Sequence, residues 1–183
     1  MAAIAVKASF TYDLPNARRL KAVLDNWQVS GVVTMRSGTP SGIALGTVNS
    51  IDITGSPTDG ARVVVAQNPI LPKDQRTLNR NFNTSAFLVP PVGTFGNAPK
   101  DVIRGPGLNN WDLSVFKNFR VVRERMKLQL RGEFYNAFNH TQFTAWNTSA
   151  GFDATGKQSN ALFGQAIAAA PARRIQIALR LTY

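Results

Sequence analysis

The chain contains no cysteine, which removes disulfide frameworks, zinc knuckles and thiol catalysis. Its single histidine, His140, excludes a multi-histidine metal site. Charged residues are scarce at 17% and lopsided in sign, with 21 Lys and Arg against 10 Asp and Glu, a net charge of +11. No apolar run reaches the roughly 18 residues of a transmembrane helix. The stretch from Met1 to Phe10 carries only Lys7 as a charge. It lacks the basic head, apolar centre and small-residue cleavage site of a secretory leader, so no signal peptide is expected in this chain. What remains is ordinary in amount: 183 residues and 44% hydrophobic composition suffice for one folded domain and argue against disorder. The basic excess asks for an anionic partner or setting, whether nucleic acid, a membrane surface or a polar lumen.

Five segments alternate with the period of a β-strand. They lie near 3–13, 27–36, 111–119, 126–138 and 174–183. In the first, Ile4, Val6, Ala8, Phe10 and Tyr12 oppose Lys7, Ser9, Thr11 and Asp13. In the fourth, Met126, Leu128, Leu130, Gly132, Phe134 and Phe138 oppose Lys127, Gln129, Arg131, Glu133 and Tyr135. The closing segment sets Ile175, Ile177, Leu179, Leu181 and Tyr183 against Arg174, Gln176, Arg180 and Thr182. In the third, Lys117 interrupts the apolar face near its end.

Alternation alone serves a soluble sandwich as well as a membrane barrel, since each has one apolar and one polar sheet face. Three features favour the barrel. The segments approach the roughly 9–11 residues that cross a bilayer at a tilt, beyond the usual 5–6 of globular strands. Aromatics stand at strand ends on the apolar face, as interfacial girdles require. Alternating strand directions put Tyr12, Trp27, Phe119 and Tyr183 at one level, and Trp111 and Phe138, with Phe134 nearby, at the other. Connectors also alternate: 14–26 and 120–125 are short, whereas 38–109 and 139–173 are long, the pattern of periplasmic turns and external loops. The expected fold is therefore all-β: an antiparallel up-and-down meander of five or six long strands, part of an outer-membrane barrel. Its lipid face would carry Tyr12, Trp27, Trp111, Phe119, Phe134, Phe138 and Tyr183. Its lumen face would carry Asp112, Lys127, Gln129, Arg131, Glu133 and Arg180. Within the connectors, Val63 to Val65 reads as a short strand, Ala161 to Ala170 as a brief helix or loop, and Ala17 to Leu24 as a turn with helical spacing.

Several local sequences point further. Residues 104–119 read RGPGLNNWDLSVFKNF and 128–143 read LQLRGEFYNAFNHTQF. Upstream stand Tyr12-Asp13-Leu14-Pro15, Trp27-Gln28-Val29-Ser30-Gly31 and Ser37-Gly38-Thr39-Pro40, with FNTSAF at 82–87 and GTFGN at 93–97. In this order they resemble the C-terminal end of the Oar-like TonB-dependent receptors of the outer membrane, common in Acidobacteria, over about residues 8–183. The ending RRIQIALRLTY resembles the terminal signal read by the barrel-assembly machinery. The resemblance implies a wall segment of a barrel of about 22 strands around a plug, the whole forming a receptor or transporter in the bacterial outer membrane. Implied partners are the remainder of the barrel and its plug, outer-membrane lipid and the assembly machinery. No TonB box is assignable. Five strands fall short of the roughly eight that close a barrel and leave two open edges. Self-association through those edges is therefore a second expectation, and a stand-alone self-associating β protein the alternative reading.

Enzymatic chemistry finds no footing. His140 lies in a long loop with no identifiable partner for acid–base work. Asp112 and Glu133 share a face with Lys127, Arg131 and Arg180, which predicts a cross-strand ion-pair network over a catalytic carboxylate pair. Gly105-Pro106-Gly107 is followed by no GK[ST] helix and reads as a turn, not a phosphate loop. Asn83-Thr84-Ser85, Asn139-His140-Thr141 and Asn147-Thr148-Ser149 match the glycosylation pattern but carry little meaning in a bacterial barrel. Arg120, Arg123, Arg125 and Lys127 near Phe116 and Phe119 fit a nucleic-acid surface, yet basic residues spread over the whole chain and no RNP-type motif accompanies them. Snorkelling at a membrane boundary suits them as well. The expectation is a non-enzyme with no cofactor, no metal and no nucleic-acid partner.

Overall fold

The computed structural model describes residues 3–16, 21–47, 60–121 and 126–182. In chain order its strands are β1 (Ala5–Asp13), β2 (Trp27–Arg36), β3 (Pro40–Ser41), β4 (Ala44–Thr47), β5 (Val64–Val65), β6 (Phe87–Leu88), β7 (Ile103–Arg104), β8 (Leu108–Val121), β9 (Met126–Tyr135), β10 (Phe143–Trp146), β11 (Ser149–Phe152), β12 (Ala166–Ala169) and β13 (Arg174–Thr182). One helical turn, α1, covers Lys21–Leu24. The chain divides into two compact units. The sheet unit holds Ile4–Arg36, Leu108–Gln142 and Ala170–Tyr183, and the excursion unit holds Met1–Ala3, Ser37–Gly107 and Phe143–Ala169.

In the sheet unit the five long strands lie side by side as β1-β2-β8-β9-β13, every pair antiparallel. Spatial order follows sequence order, so this is the expected meander. Registers keep the apolar set together across all five strands, as a period-two pattern demands. One row runs Phe10–Gly31–Leu113–Phe134–Ile175, and the next Tyr12–Val29–Val115–Gly132–Ile177. Gly31 is needed in its row: a Cβ there would lie 2.6 Å from the Phe10 ring and 2.8 Å from Leu113. The aromatic ring occupies the space that the glycine leaves on the neighbouring strand.

The largest departures from the expected boundaries are the start of β8 and the end of β9; β1 begins two residues later than expected, at Ala5, and β8 ends two later, at Val121. β8 starts three residues earlier than expected, at Leu108, because Leu108, Asn109 and Asn110 pair with Arg36, Met35 and Thr34. β9 stops at Tyr135 rather than at residue 138, because Asn136 takes φ 52° and Asn139 φ 53°. Asparagine tolerates this left-handed conformation, which an extended strand cannot contain. Phe138 therefore sits in the turn 136–138.

The excursion unit is made from the segments read as long loops, and it is folded. Short pairs β3–β7, β5–β6 and β10–β12 are antiparallel, and β4–β11 is parallel. Its core contains Val63, Phe82, Ala86, Phe87, Ala98, Ile103, Ala150, Phe152 and Phe163. The rings of Phe82, Phe87 and Phe163 meet edge to face at 5.2–5.9 Å between centroids, the arrangement their quadrupoles favour. The strand predicted at Val63–Val65 forms as β5 but pairs with β6, so it adds no sixth strand to the sheet. The segment 161–170 becomes a turn at 161–164 followed by β12, not a helix. Of the predicted helical turn at 17–24, residues 17–20 lie outside the described residues and Lys21–Leu24 is α1.

Candidate functional site: the two faces of the sheet

The described residues of the apolar face of the sheet unit are exposed along both edge strands. Ile4 is 72% exposed and Ile177 75%, with Val6, Tyr12, Ile175, Leu179 and Leu181 also exposed. Of the residues assigned to this face from sequence, Tyr12 lies in the row of Val29, and Trp27 lies opposite Lys117. Phe119 pairs with Leu128, and Phe134 lies between Leu113 and Ile175. Trp111 and Phe138 meet edge to face at 5.7 Å, although Phe138 lies beyond the end of β9. Tyr183 lies outside the described residues.

Lys117 is the exception on this face, and its resolution is local. The ammonium donates to the Val23 carbonyl at 3.0 Å and to the Asp25 carbonyl. It also stands over the Trp27 and Phe119 rings, 5.4 and 5.5 Å from their centroids. Only 2% of Lys117 is exposed. Trp27 Nε1 donates to the same Val23 carbonyl at 2.7 Å. A cation at the end of α1 matches the negative end of its peptide dipoles. The break in alternation was visible in the sequence. Its partners were not, because carbonyl acceptors leave no residue signature.

The polar face gathers Lys127, Gln129, Arg131 and Glu133 on β9, Asp112 on β8 and Arg180 on β13, with Arg180 opposite Gln129. The predicted cross-strand ion-pair network is replaced by something else. Among the described residues the ion pair on this face, Arg131 Nε to Glu133 at 3.1 Å, runs along one strand. Across strands, Gln129 donates to Asn118 at 2.9 Å, Gln28 donates to Asp13 at 2.8 Å, and Arg131 lies over the Phe116 ring at 4.8 Å. Register explains the difference: Glu133 faces Ser114 and Arg131 faces Phe116, so no carboxylate stands opposite a guanidinium on these strands. Phe116 lies on this face, where the alternation of the third segment sets it with Asp112, Ser114 and Asn118 against Trp111, Leu113 and Val115, and its ring is buried beside Arg131.

Asp112 serves the turn instead of a charge network. Its Oδ1 accepts the Asn136 backbone N–H and the Asn110 side-chain N–H, both at 2.9 Å. Asn136 then closes the turn by exchanging hydrogen bonds with the His140 backbone. Buried Gln142 clamps Asn109 by accepting its N–H at 3.0 Å and donating to its carbonyl. The sequences LNNWD and NAFNHTQF are thus one assembly at one end of the sheet. His140 is exposed and touches Phe138 at 6.0 Å between rings. Among the described residues no group of three metal-ligating side chains converges, and no helix is long and apolar enough to cross a membrane.

The same logic accounts for the motifs of the excursion unit. A Cβ on Gly38 would lie 2.0 Å from the Gly105 carbonyl oxygen, so SGTP and RGPG are matched by close backbone approach. In GTFGN, Gly96 has φ 73° and Asn97 accepts the Val65 N–H at 2.6 Å. FNTSAF supplies Phe82 and Phe87 to the core.

Comparison with known proteins agrees with this architecture. No curated protein and no solved structure matches the chain. A family profile described as outer membrane beta barrel domain matches residues 3–176. That match takes in β1 through β12 and enters β13. An antiparallel meander with one apolar face and one polar face is the wall such a family builds, and the chain belongs to the outer membrane beta barrel domain family.

Proposed function

We propose that this outer-membrane barrel wall is part of an Oar-like TonB-dependent receptor, with a non-catalytic role in enclosing a transport path. The observation that carries the reading is the continuity of two chemically opposite faces over five registered strands. The apolar face, with Trp27 and Phe119 at one level and Trp111 at the other, faces lipid; the polar face lines the lumen. Support for the receptor class comes from the motif resemblance and from the way those motifs interlock at Asn109–Gln142 and Asp112–Asn136. The polar face carries Lys7, Arg36, Lys127, Arg131, Arg174 and Arg180 against Asp13, Asp112 and Glu133, a balance that favours anionic solutes in the lumen. The partners on this reading are the remaining strands and plug, outer-membrane lipid and the assembly machinery. Deletion of TonB in the native host tests it: ligand accumulation through the intact receptor should cease, and accumulation unchanged without TonB would exclude the class.

One observation supports a second reading, a self-associating β protein. β1 is exposed along its whole length and β13 nearly so, and among the described residues neither has a second neighbouring strand. Unpaired backbone in hydrocarbon costs several kcal/mol per group, so these edges must find strands elsewhere. Native mass measurement in detergent separates the readings: heterogeneous homo-oligomers favour self-association, and capture by the preceding barrel strands favours the receptor wall.

A further inference from the structure

The excursion unit contains a pocket of about 410 Å³ that the barrel reading does not use. Its volume lies within the roughly 300–1,000 Å³ of small-molecule sites. Its lining is rich in apolar residues: Pro40, Pro69, Pro106 and Trp146, with buried Leu71 and Phe82. Prolines and a tryptophan offer rigid, flat contact at small entropic cost.

Arg76 and Arg104 line the same pocket, and the guanidinium of each is held in place. Arg76 donates through Nε and Nη2 to the Leu71 carbonyl, at 2.9 and 2.8 Å. This uses the side-on fork and leaves the end-on N–H groups of Nη1 and Nη2 for another acceptor. Arg104 donates through Nη1 to the Gly38 carbonyl at 2.9 Å, which leaves its Nε and Nη2 fork. Among the described residues neither is ion-paired with a carboxylate, although Asp101 also lines the pocket. The backbone beneath them is fixed as well. Gly105 N–H donates to the Thr39 carbonyl at 2.8 Å, Pro40 pairs with Arg104, and Trp146 Nε1 donates to the Arg104 carbonyl at 3.3 Å. Anchored guanidiniums with a free fork suit planar or tetrahedral oxyanions.

We propose that this pocket binds a small organic anion, its flat apolar body against the prolines and Trp146 and its carboxylate, sulfonate or phosphate on Arg76 and Arg104. The site lies wholly within the excursion unit and does not depend on the receptor reading.

Calorimetric titration of the full chain in a non-ionic detergent tests it, with naphthalene-2-sulfonate and neutral 2-naphthalenemethanol as a matched pair and inorganic phosphate as the bare anion. The sulfonate should bind about tenfold or more tightly than the alcohol, the worth of a charge-assisted hydrogen bond. Phosphate alone should compete poorly, since it lacks the apolar body. The double variant Arg76→Gln, Arg104→Gln should bind both naphthalenes equally. Protection mapping on the unmutated chain guards against a misfolded variant: the sulfonate should slow phenylglyoxal modification of Arg76 and Arg104 relative to Arg62 and Arg80. Equal binding of the matched pair, retained preference in the double variant, or absence of protection would each overturn the proposal.

Discussion

The two units use the same apolar residue types in opposite ways. In the excursion unit Phe87 is 2% exposed and Phe152 1%, inside a contiguous cluster. In the sheet unit Ile175, Ile177, Leu179 and Leu181 stand in the open along one side of β13. A protein in water gains roughly 25 cal/mol for each Å² of apolar area it hides, so apolar residues left exposed along a sheet's edge strands forgo that gain in water. In a bilayer the face is already in hydrocarbon, and the backbone ladder becomes the obligatory term. The contrast teaches that one chain is written for two solvents. Its excursions fold by burying phenylalanines, and its sheet holds together by registered hydrogen bonds.

Breaking the core of the excursion unit should have the largest effect. Phe152→Ala or Phe87→Ala removes a ring from a packed site and should cost about 3–5 kcal/mol. Hydrogen exchange should show the loss across 60–107 and 143–152, with the ladder of β8 and β9 unchanged. Equal loosening of both units would mean that they share one core.

A charge placed on the sheet should sharpen the difference between its faces. Ile177→Arg, near mid-strand on the apolar face, should cost about 2–4 kcal/mol in a bilayer, and Gln176→Arg far less. Denaturant titration in lipid measures both, and equal costs would show that the faces were misassigned. At Lys117 the expected loss is smaller. Lys117→Met takes the donor from the Val23 and Asp25 carbonyls and should destabilise by about 1–3 kcal/mol, with faster proteolysis of the 14–26 turn. Unchanged proteolysis would show that Lys117 does not hold the turn.

The smallest effect belongs to an exposed turn of the excursion unit. The Thr155 hydroxyl, donating at 2.6 Å to Asp153 Oδ1, holds the Asp153 carboxyl below its ordinary 3.8, helped by the backbone N–H of Lys157. A depressed folded value means that the turn's stabilisation is present above 3.8 and is lost as pH falls through the folded value. The Thr155 and Lys157 amide resonances should titrate in that acid window and stop doing so in Asp153→Asn. Persistence of the titration in the variant would remove Asp153 as its cause.

The same division decides how much could be read from sequence. Alternation located the sheet well, and β2 has the bounds 27–36 that the pattern predicted. A repeat of period two survives in sequence because each residue's face is set by its parity. Asn136 cut β9 short, since a left-handed asparagine is compatible with many sequences. The excursion core stayed hidden because Phe82, Phe87, Phe152 and Phe163 come from segments without periodicity and meet only in three dimensions. The motifs FNTSAF, GTFGN and SGTP were visible as words, and their meaning lay in contacts with partners tens of residues away. On the polar face the ion-pair network failed because parity gives a residue's face but not its cross-strand partner.

The central claim, that parity separates hydrocarbon from aqueous lumen, is tested most directly on β13. The chain has no cysteine, so single cysteines at positions 175 to 181 can carry a nitroxide label without further mutation. Reconstituted in bilayers, labels at 175, 177, 179 and 181 should be accessible to oxygen and shielded from a water-soluble nickel chelate, with 176, 178 and 180 showing the reverse. A period-two alternation of the two accessibilities is the predicted result. Uniform access to the nickel chelate along the strand would contradict the account.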